Sequence, residues 1–480
     1  MRMDSKKPFY LTTTIPYVNA APHIGFALEI VQADTIARYK RIMGYNVFFN
    51  FGSDEHGQKI FEKAQERGIE TQAYVDEYAA KFSALRSELN LTYDAFIRTT
   101  DAHHKSAAQE MWRLCSANGD IYKKNYEIKY CVGCELEKTD SELVNGVCPL
   151  HPNLGLEIRN EENYFFRLSA YEDRLQELYK RTDFVVPDYR LNEMRALAER
   201  GLEDFSISRL KSKMSWGVPV PDDAEHVMYV WFDALVNYIS TLGWPTDTEK
   251  FTRFWNGTTD CIQLAGKDQV RQQAMMWQAM LISARLPLSG QILIHGFITS
   301  GGEKMSKSLG NVIEPGALVD EYGTDALRYF LLRHIHPTED SDFTMAKFKE
   351  VYNADLANGL GNLVARIMQL AQTNLIKGTK PESTDFPSEF TDALDAYHYN
   401  DALEIVWKRI QALDQMITET VPFKVVKTDP DAGKGLIFNL TQELYAIGLM
   451  LEPFMPETSE KIKAAIIDNK KPENLFLRRE

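Results

Sequence analysis

The sequence predicts an α/β protein with a parallel sheet, interrupted by a small cysteine-bearing segment and followed by an all-helical region. Three observations carry this reading. The first fifty residues alternate strand, helix and strand, with loops at the strands' carboxyl ends. Four soft metal ligands cluster in an irregular stretch. From about residue 350 the apolar residues recur at helical spacing.

The elements follow in order. Residues 9–15 are apolar and threonine-rich and end at Pro16, as a buried strand does. Residues 27–43 read as a helix stopped by Gly44, and 46–51 as a second strand. The pattern turns irregular from about 115 to 215 and reads as an insertion. Beyond it, 227–232 and 261–265 look like strands returning to the sheet, and 291–295 like a further strand. A glycine-rich basic loop follows at 300–311. Helical runs are expected near 353–374, 390–419, 434–452 and 457–467, with a loop at 375–388 that holds Gly378, Pro381 and Pro387. The expected division is 1–115 and 216–320 for the two halves of the α/β core, 116–215 for the insertion, 321–350 for a linker and 351–480 for the helical domain.

Composition narrows the function. The chain has 480 residues, with 25 Phe, 22 Tyr and 7 Trp that need a large core, so bulk disorder is excluded. No run of about 18 apolar residues exists, so no membrane partner is expected. The first residues lead directly into a strand with no apolar leader, which predicts a cytoplasmic protein. Five cysteines are too few and too odd in number for a disulfide framework. The net charge of −14 argues against binding nucleic acid through bulk charge, but not through a local patch.

Three constellations carry chemistry. Pro22-His23-Ile24-Gly25-Phe26 lies between the first strand and its helix. A helix start offers free N–H groups to phosphate, glycine lets a ligand approach, and His23 adds a donor. Read alone, the segment is more often an ordinary strand–helix turn with a surface histidine. Gly301-Gly302-Glu303-Lys304-Met305-Ser306-Lys307-Ser308 places two ammonium groups in a glycine-flanked loop. Such a loop suits the charge that builds in phosphoryl or nucleotidyl transfer. Cys131, Cys134, Cys148 and His151 form two close ligand pairs separated by thirteen residues, which fits one tetrahedral, structural Zn2+. Cys115 and Cys261 have no such neighbours and read as core cysteines.

The pair His23-Ile-Gly-Phe26 and Lys304-Met-Ser-Lys-Ser308 resembles the signature of class I aminoacyl-tRNA synthetases. The resemblance narrows with Thr14-Ile15-Pro16-Tyr17-Val18-Asn19, Gly52-Ser53-Asp54-Glu55-His56-Gly57, Tyr229-Val-Trp231-Phe-Asp233-Ala234 and Gly266-Lys267-Asp268, which look like the methionyl-tRNA synthetase family. It runs along nearly the whole chain. It implies a Rossmann-like core, a zinc-knuckle insertion and a helical-bundle anticodon-binding domain. It also implies adenylate formation from L-methionine and ATP, with Mg2+ on the triphosphate, and then transfer to methionine tRNA.

Site roles follow from the resemblance. His23, Lys304 and Lys307 would serve catalysis; with Gly25, Glu29, Asp268 and Gly296 they would hold ATP. Asp54 would hold the α-ammonium. Thr14, Ile15, Tyr17, Trp231, Ala234, Leu235 and Tyr238 would line an apolar, aromatic slot suited to a thioether, with the Tyr238 hydroxyl and the Ile15 backbone N–H facing the sulfur. Gln269 and Gln273 stand where the family often has an apolar residue and a histidine, and Gln273 is a candidate partner for the Tyr238 hydroxyl. Phe26 stands at the family's second histidine. In the helical domain Asn362 and Arg366 lie at i, i+4, and Phe423, after Pro422, stands where the family usually has tryptophan; these are the anticodon candidates. Residues 351–480 carry 14 Lys and Arg against 19 Asp and Glu, so base-specific contacts must discriminate there. The chain ends after the helical domain, which predicts a monomer. A different class I synthetase and a catalytically dead tRNA-binding relative are the competing readings; ATP–pyrophosphate exchange separates them.

Overall fold

The structure is a computed structural model. It describes residues 6–134, 136–138, 142–258, 260–305, 310–378, 380–381 and 385–479, with backbone alone at 126–128, 136–137 and 159–161. The chain divides into two compact units: Met1–Ala21, Asn46–Ala84 and Tyr93–Ile294 form one, and Pro22–Tyr45, Leu85–Thr92 and His295–Glu480 the other.

In the first unit the strands are β1 (Pro8–Thr13), β2 (Asn46–Ser53), β3 (Ala95–Arg98), β4 (Ile121–Cys131), β5 (Leu136–Glu137), β6 (Glu157–Phe166), β7 (Val185–Val186), β8 (Phe205–Ser206), β9 (Ser208–Leu210), β10 (His226–Met228), β11 (Cys261–Gly266) and β12 (Gln291–His295). Six of them form one sheet in the order β3-β2-β1-β11-β12-β7. The pairings of β1 with β2 and β11, of β2 with β3, and of β12 with β7 are parallel. Phe9, Tyr10 and Leu11 are all buried, so successive side chains on both faces of β1 are covered. Leu11 stands opposite both Phe49 and Ile262. The strand order reverses at β1, which makes the carboxyl ends of β1 and β11 the place where such sheets bind ligands.

Two expectations are corrected here. Residues 227–232 do not return to this sheet. Only β10 is extended, and it pairs antiparallel with β9, while Val230–Ala234 is helical. The physical reason is the period: Trp231, Ala234, Leu235 and Tyr238 recur at i, i+3, i+4 and i+7, one face of a helix. The insertion also reaches the parallel sheet, because Val185–Val186 is its edge strand. The rest of the insertion builds a separate sheet, β5-β4-β6-β8. Its β4–β6 hairpin runs in register from Ile121 opposite Phe166 to Tyr130 opposite Glu157 and carries the cysteine loop at its tip. Cys115 and Cys261 are fully buried, as expected, and burial pushes both thiols up to about 12.

In the second unit, β13 (Ile298–Ser300), β14 (Glu303–Lys304) and β15 (Ser341–Phe343) form a small sheet in the order β14-β13-β15. The helix Ile24–Ile42 starts at an N-cap formed by His23. It is tied to the later segments by a buried ion pair. Asp34 Oδ2 lies 2.8 Å from Arg328, and both side chains are fully covered. Arg328 also donates to the carbonyls of Phe454, Pro453 and Leu89 at 2.7–3.1 Å, so each nitrogen of its guanidinium has an acceptor. From Met345 the chain is helical as predicted, through Tyr352–Gly361, Asn362–Asn374, Ser388–Asp395, Tyr399–Thr420, Pro422–Thr428, Pro430–Leu451 and Pro456–Ile467. Val364, Ile367, Leu403, Ile410, Ile437 and Leu444 form the apolar faces that pack there.

Candidate functional site

Of the predicted site residues of the first unit, Thr14, Ile15, Tyr17, Asp54, Asp268 and Gln269 follow the carboxyl ends of β1, β2 and β11. Beyond β1, the Thr14 N–H donates to the Leu264 carbonyl at 3.0 Å. Beyond β2, Asp54 bridges to Tyr17, and its N–H reaches the Pro16 carbonyl at 2.9 Å. Asp54 is only 6% exposed. The Tyr17 hydroxyl accepts from the Ile60 N–H at 3.3 Å. Ile15 packs with Ile97 and Ala234 in a small apolar cluster. Beyond β11, Asp268 is exposed and Gln269 half-buried.

Trp231 and Ala234 lie on the short helix Val230–Ala234 and Tyr238 on the next, Asn237–Ser240, with Leu235 in the turn between them. Tyr238 packs edge-on against Trp277, with ring centroids 5.9 Å apart. The buried Trp231 Nε1 has no hydrogen-bond partner among the described residues, which suits a ligand-facing group. Gln273 is fully enclosed, and its Nε2 donates to the Tyr238 hydroxyl, the contact expected from sequence. Gln273 sits in the π-helical turn Gln272–Met276, whose widened backbone leaves carbonyls for side chains: the Tyr179 hydroxyl donates to Ala274 O at 2.9 Å.

Sequence reasoning missed two buried polar clusters beneath these residues. Asp233 is held between His56 Nδ1 at 2.5 Å and His104 Nε2 at 2.8 Å, and Ser240 Oγ lies 2.9 Å from His104 Nδ1. Burial alone would raise the Asp233 carboxyl, but the two imidazoles outweigh it and hold it at about 2. Glu55 takes a two-pronged contact from Arg98 at 2.6 and 2.9 Å, and its backbone carbonyl accepts from Trp216 Nε1 at 2.6 Å. The signal was present in Asp54-Glu55-His56, three ionisable groups in a row directly after an apolar strand.

In the second unit the helix start does not offer the expected free N–H groups, because those of Ile24, Gly25, Phe26 and Ala27 already donate to Ile313 O, His23 Nδ1 and the His23 carbonyl, which leaves the His23 ring as the donor for an anion. His23 Nδ1 accepts from the Gly25 N–H at 3.1 Å. That bond assigns the neutral ring's proton to Nε2, leaving an N–H donor. Burial, and then the nearby Lys304 ammonium, lower His23 to about 4, so the ring is neutral at pH 7. A Cβ at residue 25 would stand 2.8 Å from His23 Cε1, which explains the glycine. Phe26 lies against His23 with centroids 4.6 Å apart. The family's second donor is thus replaced by an apolar wall that favours the neutral ring. The Ile24 N–H donates to Ile313 O at 3.0 Å, anchoring the far end of the lysine loop to this helix start. Lys304 pairs with Thr299 across β13–β14 and lies over the Phe297 ring at 5.6 Å. Asp342 fixes the turn by accepting from Gly302 N and Thr299 Oγ1 at 2.8 and 2.7 Å. Lys307 lies outside the described residues. Glu29 meets His295 Nε2 at 2.8 Å, and His295 Nδ1 faces the Gly296 carbonyl at 2.7 Å. Gly296 is required by close approach, because a Cβ there would be 2.2 Å from the Glu339 backbone.

The four predicted metal ligands converge. The donor atoms of Cys131, Cys134, Cys148 and His151 all lie within 4.8 Å of one another. His151 Nδ1 is 3.2, 3.8 and 3.9 Å from the sulfurs of Cys134, Cys131 and Cys148, and Cys134 and Cys148 are 3.4 Å apart. A tetrahedron with metal–ligand bonds of about 2.0–2.3 Å has edges of roughly 3.5–3.8 Å, so the donors fit one ion with no open position. Gly133 is needed there, since a Cβ would lie 2.5 Å from the His151 ring.

The anticodon candidates lie on two helices, Asn362 and Arg366 on one and Phe423 on the other. Asn362 is exposed at the start of Asn362–Asn374, and Arg366, one turn on, is ion-paired with Asp414. Phe423 is 43% exposed on Pro422–Thr428.

A parallel sheet that reverses at β1, with a histidine-capped helix and a lysine loop later in the chain, is the framework of a class I aminoacyl-tRNA synthetase. The family described as tRNA synthetases class I (M) matches residues 9–153 and 152–368. The methionine–tRNA ligase of Thermotoga maritima is 40% identical over 97% of this chain and 76% of its own length. That of Thermosynechococcus vestitus is also 40% identical, over 95% and 89%. The Mycobacterium tuberculosis methionyl-tRNA synthetase in complex with methionyl-adenylate superposes with a TM-score of 0.89 at 36% identity, covering 99% of this chain and all of that one. The chain therefore belongs to the methionine–tRNA ligases, enzymes that join methionine to its tRNA at the expense of ATP. Among the described residues no helix is long and apolar enough to cross a membrane.

Proposed function

We propose that the residues described above, in each of the two units, activate L-methionine and pass it to methionine tRNA in the following roles. Trp231, Ala234, Leu235, Tyr238, Ile15 and Tyr17 enclose the side chain, with Thr14, Gln269 and Gln273 at its margin. Asp54 holds the α-ammonium. The carboxylate attacks the α-phosphorus of ATP, and pyrophosphate leaves. No protein nucleophile is needed; catalysis is positioning plus charge stabilisation. His23 donates from Nε2 to phosphate oxygens, and Lys304 and Lys307 stabilise the charge that develops. Gly25 gives the backbone access, and Glu29, Asp268 and Gly296 hold adenosine. Asn362, Arg366 and Phe423 read unpaired anticodon bases by hydrogen bonds and stacking. The observation that carries the reading is the convergence of Thr14, Ile15, Tyr17, Asp54 and Asp268 at the carboxyl ends of β1, β2 and β11, where open α/β sheets bind ligands.

Two ions belong to this reading. The Cys3His donor set favours Zn2+ in a structural role, folding the tip of the β4–β6 hairpin. Mg2+ on the triphosphate would neutralise charge while this chain's residues position the nucleotide. The reading also takes the chain as a cytoplasmic monomer with a core at 1–115 and 216–320, an insertion at 116–215, a linker at 321–350 and an anticodon-binding domain at 351–480. Light scattering tests the monomer, and a stable dimer overturns it. Lys307→Ala tests the chemistry. The variant should still bind methionine by calorimetry and lose adenylate formation; near-normal turnover removes the role given to that loop.

A further inference from the structure

Tyr238 does not stand alone at the methionine slot. Behind it runs a buried chain of four polar side chains: Gln273, Gln263, Ser289 and Gln278, each at most 1% exposed. None is ionisable, and each meets the next. The direction of every hydrogen bond in this chain is set from its far end. Gln278 Nε2 faces the Gln273 backbone carbonyl at 2.9 Å, and Gln278 Oε1 faces the Ser289 backbone N–H at 3.2 Å. A carbonyl can only accept and an N–H can only donate, so the amide of Gln278 has one orientation. Its Nε2 then also donates to Ser289 Oγ at 2.8 Å. Ser289 must send its own proton onward, to Gln263 Oε1. That places the Gln263 Nε2 against Gln273 Oε1, at 2.8 Å. Gln273 is left with Nε2 toward Tyr238, and donates to its hydroxyl. Two backbone groups thus decide the polarity at the tyrosine, four side chains away.

We propose that Gln263, Gln278 and Ser289 are positioning residues that hold Gln273 as a donor, so that Tyr238 accepts from behind and keeps its own hydroxyl proton for the thioether sulfur of methionine, the contact that the family resemblance already implies. The inference rests on the methionine slot proposed above and adds a specificity device to it. Sulfur is a weak acceptor, and a methylene in its place accepts nothing. A directed hydroxyl proton therefore distinguishes methionine from norleucine, its isostere with CH2 for sulfur. A hydroxyl whose proton points back at the protein would not.

The test is the ratio of kcat/KM for methionine to that for norleucine in ATP–pyrophosphate exchange, using the full chain. Gln273→Glu keeps the volume but offers Tyr238 an acceptor, drawing its proton away from the slot. Ser289→Ala breaks the relay between Gln278 and Gln263. Both should lower the ratio about tenfold, the size of one net hydrogen bond, and in Ser289→Ala, which lies outside the slot, norleucine turnover stays close to the parent's. Mere loosening of the fold would depress both substrates together and leave the ratio unmoved. Gln273→His, whose neutral ring can accept from Gln263 and donate to Tyr238, should restore the ratio above pH 7. A ratio within twofold of the parent's in both Gln273→Glu and Ser289→Ala, with the parent active on methionine, overturns the relay and leaves the slot standing. A parent that activates neither amino acid overturns the slot itself.

Discussion

Replacing Gly25 with alanine separates what the phosphate-type helix start does for stability from what it does for catalysis. The added Cβ would lie 2.8 Å from His23 Cε1 and 2.9 Å from Nδ1. Ordinary carbon contacts need about 3.5–4.0 Å, so the imidazole must retreat by roughly 1 Å. The retreat lengthens the 3.1 Å bond from Gly25 N to His23 Nδ1, and with it goes the N-cap. A lost cap costs about 1 kcal/mol. Alanine in the helix returns about 0.8–1 kcal/mol over glycine, so the two nearly cancel. Stability should therefore change by less than about 1 kcal/mol, while the displaced ring loses its aim at the phosphate. Misplacement of about 1 Å costs on the order of a hundredfold in rate. The assay is ATP–pyrophosphate exchange at varied ATP, beside urea denaturation of both proteins. A Gly25→Ala enzyme within threefold of the parent would refute the assignment of His23 Nε2–H to phosphate.

Other outcomes follow from the same geometry. Gly133→Ala pushes a Cβ into His151, and Cys134→Ser removes a sulfur; each should lower zinc content after dialysis against a mild chelator, and unchanged metal in both would reject the cluster as a metal site. The Asp233 carboxyl lies at about 2 against an ordinary 3.8, so its contribution is present above pH 4 and is lost as pH falls through 2. That loss is about 2 kcal/mol. Asp233→Asn should show a flatter decline in unfolding free energy between pH 5 and 2, and equal slopes would refute the two-imidazole account. Arg328→Met strips Asp34 of a fully buried partner and should cost about 3–5 kcal/mol in chemical denaturation. A loss under about 1 kcal/mol would mean that Arg38, 2.7 Å from Asp34, suffices alone.

Much of the architecture was legible because local pattern and tertiary role coincide. Phe9-Tyr-Leu reads as a doubly buried strand and is one, and the cysteine spacings predicted a cluster that the β4–β6 hairpin closes. The segment 227–232 misled because Val, Tyr, Trp and Phe favour strands, while the helical spacing of Trp231, Ala234, Leu235 and Tyr238 extends past the window that suggested a strand. The strand Val185–Val186 was hidden by its two-residue length. Within the site, the sequence pointed to Gln273 through its contrast with a histidine. It could not point to Gln278 or Ser289, whose roles exist only because β11, the following helix and the loop before β12 bring three amides and a hydroxyl into one line. His104 was invisible for the same reason, since it lies 129 residues from its partner Asp233.

The most direct measurement is amino-acid-dependent ATP–pyrophosphate exchange by the folded, zinc-loaded protein, with methionine tested against cysteine, leucine, isoleucine and valine. The account predicts exchange with methionine and none above background with the other four. Exchange that prefers another amino acid would contradict the slot built from Trp231, Leu235 and Tyr238. No exchange with any of them would mean that, in this chain, His23 with Phe26 at its back does not support adenylate formation.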